Sequence, residues 1–191
     1  GTIAATTLTD ITSQTNGTVT AASADITISG NTTDLTAALV TEATKAVVAN
    51  GKVTITDTGN VAATVLSAIG NSTGGTVTAT GAITVTGSTE EITNALVTES
   101  KLVVASNESA AVTFVESNPT GAQLALINPK VDGTITLADN SQTFTGTADQ
   151  MKAAFAGGLA GTQTGNVTIS DTSGTIAATT LTDITSQTNG T

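Results

Sequence analysis

Carboxylates are the only reactive side chains present in any number: the chain carries 15 Asp and Glu but no His, Cys, Tyr or Trp. Asp57 and Asp171 hold the same place in the related segments Val53-Thr-Ile-Thr-Asp and Val167-Thr-Ile-Ser-Asp, and Glu116 holds it in a third. Each follows a strand-like stretch and precedes a helical pattern, which suits a helix cap or an Asx turn. The same oxygens, joined by turn carbonyls, would suit Ca²⁺. Asp132, before Gly133, and Asp139, before Asn140, mark a second place for a cation. Against calcium, the chain has neither an EF-hand loop nor the glycine-rich nonapeptide repeat. Glu90 and Glu91 are adjacent, yet neighbours in sequence diverge on a helix; Glu91 stands three residues after Ser88, as in a capping box. Lys45 and Lys101 follow equivalent helical patterns, where a cation complements the helix dipole. Glycosylation sequons at Asn16, Asn31, Asn71, Asn107, Asn166 and Asn189 are what a Thr-rich chain produces by chance.

These absences remove much of the functional menu. A His-dependent triad, a His or Cys metal site, a thiol nucleophile, an Arg phosphate clamp and an aromatic stacking platform all need side chains that are absent or nearly so. All 5 basic residues are Lys, and the net charge of −10 would repel nucleic acid and anionic membrane surfaces. A mean hydropathy of +0.22 argues against disorder, and no apolar run approaches the ~18 residues of a membrane span. Neither nucleic acid nor membrane insertion is expected, and no catalysis is.

Self-similarity is the most specific signal. Gly1–Thr18 and Gly174–Thr191 are identical over eighteen residues, an offset of 173. The chain therefore reads as one long unit followed by the start of another copy, with a molecule continuing on both sides as the expectation. Within the unit, strand-like starts at Val53, Val112 and Val167 divide it into a permuted partial repeat over 1–52, a repeat over 53–111, a divergent repeat over 112–166, and the start of the next over 167–191. Each subrepeat divides again near Ile26, Ile83 and Gln142, which predicts modules of about 27–32 residues, six to a unit.

Within a module, Gly75-Thr-Val-Thr-Ala-Thr and Ile83-Thr-Val-Thr-Gly alternate with the period of two expected of a strand with one buried face. Between strands the period lengthens. Ile92, Ala95 and Leu96 stand at i, i+3 and i+4, as do Leu35, Ala38 and Leu39, and then Met151, Ala154 and Phe155 after a Thr147/Gln150 capping box. A second pattern joins Val61, Val65, Leu66 and Ile69 with Ile3, Thr7, Leu8 and Ile11, and with Pro119, Gln123, Leu124 and Ile127. The expected fold is α/β, a repeat solenoid of parallel strands with short helices on one face, six coils advancing ~29 Å per unit. Tandem β-sandwich repeats of about 58 residues are the alternative.

The segments VTITDTGNVAATVLSAIG, GTVTATGAITVTGSTEEITNALVTES and KLVVAS resemble tandem modules of giant secreted surface and adhesin-like proteins of cyanobacteria and other bacteria. That resemblance implies an extracellular or cell-surface location, export by a dedicated secretion system, and a place in a coat, filament or adhesive layer. It carries over no functional residue. The expected function is a non-catalytic structural segment of a rod, filament or coat, with self-association or covalent continuation along the repeat axis. An adhesin stalk or module binding glycans or a cell surface, calcium-dependent or not, is the alternative. One asymmetry points to contacts: Phe114, Phe144, Phe155, Met151 and both prolines, Pro119 and Pro129, lie in the divergent repeat. They either fill a wider core or make a lateral assembly contact once per unit.

Overall fold

The alternation of β-branched residues with Thr and the capped apolar triplets produce a mixed α/β chain. The computed structural model describes residues 1–98, 102–104, 110–116 and 118–191. Lys101 and the sequon at Asn107 lie outside the described residues. In chain order the elements begin with β1 (Thr2–Ala4), α1 (Ala5–Ser13), β2 (Val19–Thr20), β3 (Thr27–Gly30), α2 (Thr32–Leu35), β4 (Ala46–Val47), β5 (Lys52–Ile55), β6 (Gly59–Ala62), α3 (Ala63–Asn71), β7 (Val77–Ala79), β8 (Ile83–Gly87), α4 (Thr89–Thr93) and β9 (Leu102–Val104). They continue as β10 (Ala111–Phe114), α5 (Gly121–Ile127), β11 (Ile135–Thr136), β12 (Phe144–Gly146), α6 (Ala148–Phe155), β13 (Val167–Ile169) and α7 (Ala178–Thr185). After α2 and α4 the chain widens into π-helix over Thr36–Thr41 and Asn94–Thr98, whereas α6, in the corresponding place, stays α-helical.

Every described strand pair is parallel. One sheet runs β1-β3-β5-β7-β9, a second β11-β10-β8-β6, and two-stranded sheets join β12 to β13 and β2 to β4. A β-sandwich needs antiparallel sheets, so the sandwich alternative does not describe this chain. The registers also correct the expected step. Helices recur at the predicted module spacing, but strand partners lie closer in sequence: Ile28 pairs with Val53, Val53 with Val77, and Val77 with Leu102. The step is therefore about 25 residues, shorter than a module.

Like residues stack on like. Val61, Val85, Val112 and Ile135 are successive register partners and all are buried, so β-branched side chains pack against copies of themselves. On the other face, Thr86, Thr113 and Thr136 form a half-buried file in the same ladder. Leu66 and Ile69 of α3, and Leu124 and Ile127 of α5, close the core from the helical side. In the second helical pattern the first member of each set falls outside its helix: Ile3 is in β1, Val61 is in β6, and Pro119 precedes α5.

Candidate functional site

The carboxylates singled out from the sequence do not converge. Asp57 reaches across to α2: its Oδ2 accepts a hydrogen bond from the Thr32 amide at 2.6 Å and its Oδ1 one from the Thr32 hydroxyl at 3.0 Å. Asp171 does the same for α6, accepting from the Ala148 amide at 2.7 Å. Both satisfy amides at a helix N-terminus, where a negative charge is also favoured by the helix dipole. The helix each one caps lies upstream, not the helix that follows it in sequence. Sequence spacing pointed to capping but could not show which helix received it.

Asp132 and Glu116 are exposed. Asp139 closes an Asx turn, accepting from the Ser141 hydroxyl at 2.7 Å and the Ser141 amide at 2.8 Å. These two bonds, the hydroxyl first, hold its carboxyl below the usual range for aspartate. Among the described residues no three acidic side chains gather as a metal site would require. Glu91 completes a capping box, its Oε2 accepting from the Ser88 amide at 2.8 Å, and Thr147 and Gln150 form another at α6. A third box, Thr120 with Gln123 at α5, was not singled out from the sequence although its Thr-x-x-Gln spacing carries the signal. The sequon residues Asn16, Asn31, Asn71, Asn166 and Asn189 are exposed.

The candidates for lateral contact turn inward. Phe114, Phe144, Phe155 and Met151 are all buried, and Phe144 meets Phe155 edge to face with centroids 5.2 Å apart at 82°. In this structure they fill the core and leave no surface for a neighbour. Pro119 is buried and Pro129 exposed; the exposed large apolar residues of the divergent repeat are Val115 and Leu126. An open hollow of about 480 Å³ lies between Leu39, Val48 and Thr73, and it contains no titratable side chain.

The identical eighteen-residue segments occupy complementary surroundings. Ile184 on α7 is 3% exposed, whereas Ile11 on α1 is 44% exposed; Leu181 is 40% exposed, whereas Leu8 is 2% exposed. Helix α7 lies against α6, where Lys152 pairs with Asp183 at 2.9 Å. Beyond α7, the Thr188 hydroxyl lies within hydrogen-bonding distance of the carbonyls of Gly165 at 2.8 Å and Gln163 at 3.1 Å, while the Asn189 amide donates to Gln163 at 2.8 Å. Thr191 donates to Asn166 Oδ1 through its amide at 2.9 Å. Thr15, the residue matching Thr188, makes the same turn with the Gly17 amide but meets no such carbonyl among the described residues.

Comparison of the chain with protein-family models, with curated proteins and with solved structures returns no match. No described helix is long and apolar enough to cross a membrane.

Proposed function

We propose that this chain is a non-catalytic structural segment of a long extracellular or cell-surface repeat protein, wound as a solenoid rod. The observation that carries the reading is that the sequence repeat and the strand ladder are commensurate. The ladder from β1 to β9 makes four steps of about 25 residues, and seven such steps would span very nearly the offset between the identical segments, which would bring the second copy to the same stacking position as the first.

The order of elements supports a three-sided winding. The repeat from Val53 contributes β5, β6, α3, β7, β8, α4 and β9, and stacked partners are three elements apart: β5 with β7, β6 with β8, β7 with β9. Seven elements on a three-sided turn carry the pattern around by one side per subrepeat. Three subrepeats of seven elements would complete seven turns and return the helices to their starting side, although among the described residues the divergent repeat contributes only β10, α5, β11, β12 and α6. That accounts for an identical repeat of three subrepeats rather than one. Capping of α2 by Asp57 fits, because the capping residue sits where the next turn passes that helix.

The exported, surface-exposed setting rests on the resemblance to secreted repeat proteins together with the sparsely charged, Thr-rich composition. Electron microscopy of the native material tests the rod. With strands ~4.8 Å apart, seven turns give an axial repeat of ~34 Å, whereas six coils would give ~29 Å. An axial 4.8 Å reflection with a ~34 Å repeat is expected, and separate beads without the axial reflection would overturn the reading. Melting curves with Ca²⁺ and with chelator are expected to coincide; a chelator-sensitive midpoint would favour the calcium-dependent adhesin.

A further inference from the structure

Leu126 is a large apolar side chain left 54% exposed on α5, whose opposite face, formed by Gly121, Leu124 and Ile127, is buried. Pro129 and Lys130 stand at i+3 and i+4 from it, so the three share one face as α5 passes into the 3₁₀ turn Asn128–Lys130. Beside that face is an open hollow of about 480 Å³, lined among the described residues by Pro129, Val131, Ala153 and Ala156. Its two walls are tied together, because the Asn128 side-chain amide donates to the Ala153 carbonyl at 2.9 Å and so joins the end of α5 to α6. The hollow is therefore formed before anything enters it.

The charges at its rim are opposite and unpaired. Val131 is extended and buried, so Lys130 and Asp132 on either side of it both turn outward. Both are exposed, and neither has an ion-pair partner among the described residues. Acidic residues are missing from the approach to this rim: the sequence has none from 117 to 131, in a chain of net charge −10. Two acidic copies repel each other least where each presents such a stretch.

We propose that this face is a lateral docking surface for a second copy of the chain. Leu126 of each copy enters the hollow of the other, and Lys130 of each pairs with Asp132 of the other. Knob and hollow lie on one patch, as do the two charges, so the contact is self-complementary and closes on a two-fold axis. It uses no strand edge, and continuation along the stack stays free. The patch is small, so a single contact is weak. Along a rod, one contact per 173-residue unit would add by multivalency and hold two rods side by side; this last step alone rests on the rod reading.

Sedimentation equilibrium of the full chain at concentrations up to ~1 mM is expected to show monomers in equilibrium with dimers. Leu126→Asp is expected to weaken dimerisation at least ~30-fold, because a symmetric contact loses the burial of the exposed half of this side chain twice. Lys130→Asp sets like charges opposite each other and should weaken it about tenfold, and the exchange K130D/D132K should restore wild-type affinity to within about threefold. Circular dichroism and a cooperative melt check the fold of each variant, and Leu126→Ala takes the place of L126D if that variant does not fold. A wild type that stays monomeric throughout overturns the proposal. So does dimerisation undiminished in L126D, or an exchange that fails to recover what K130D loses. The axial ~4.8 Å reflection of native material does not depend on this contact, so the rod reading and the lateral contact fail separately.

Discussion

Leu8 and Leu181, and Ile11 and Ile184, are two pairs of residues in the same eighteen-residue sequence, so replacing each with Ala isolates the effect of surroundings. Helix propensity and local contacts change identically within a pair and cancel in the comparison. Exposure differs by about four-tenths of the residue in each pair, in opposite directions. Full burial of such a side chain contributes ~1.5–3 kcal/mol, so the transfer difference is about 1 kcal/mol. An incompletely collapsed cavity adds a comparable amount at the buried position. Leu8→Ala should therefore cost about 2 kcal/mol more than Leu181→Ala, and Ile184→Ala about 2 kcal/mol more than Ile11→Ala. Urea unfolding gives the global values. Amide hydrogen exchange across α1 and α7 reveals any part of the Ile184 cost that appears as local opening of the last helix. Losses equal within each pair to about 0.5 kcal/mol would refute the reasoning, because identical sequences would then be feeling identical environments.

Asp57→Ala removes the acceptor for the Thr32 amide and should cost about 0.5–2 kcal/mol, with faster amide exchange confined to the start of α2. Phe144→Ala should cost about 3–5 kcal/mol in urea unfolding, as expected of a core aromatic; a loss under ~1 kcal/mol would return Phe144 to the candidates for surface contact. Asp139 should titrate below the usual aspartate range by carboxyl ¹³C NMR, and Ser141→Ala should raise it. Because its folded pKa is lowered, the stabilisation it contributes is present above the unfolded pKa and fades as pH falls through the folded value.

Much of the local structure was legible in the residues. The capped triplet ending at Leu96 lies where helix forms, the Thr alternation lies where strand forms, and Ser88 with Glu91 and Thr147 with Gln150 cap the helices they precede. What eluded the sequence was the spacing between paired strands. The modules are counted by their helices, whereas the ladder counts strand partners, and the two periods differ: helices recur at the module spacing, while paired strands lie about 25 residues apart. Asp57 and Asp171 show the same limit. Their residue type announces a cap, but the amide they satisfy is on a helix 23 to 25 residues upstream. Phe114, Phe144, Phe155 and Met151 stood out by composition, and only packing could show that they turn inward.

The duplicated segment separates the two contributions within one molecule. Local sequence alone determines that Ala5–Ser13 and Ala178–Thr185 are helices, since both copies form them from the same residues. What the two copies meet beyond their own residues differs. Thr2–Ala4 is a strand because β3 lies beside it, while 175–177, with the same residues, is not in a strand. A Cβ at Gly190 would lie 2.1 Å from the Gly165 carbonyl oxygen, while one at Gly17 would meet nothing nearer than Thr15 Oγ1 at 3.5 Å. The same glycine is thus required in one copy and free in the other. Hydrogen bonds within a helix are satisfied inside the segment, so sequence suffices to specify them. Strand pairing, burial and close backbone approach need a second piece of chain, so only the tertiary structure decides them.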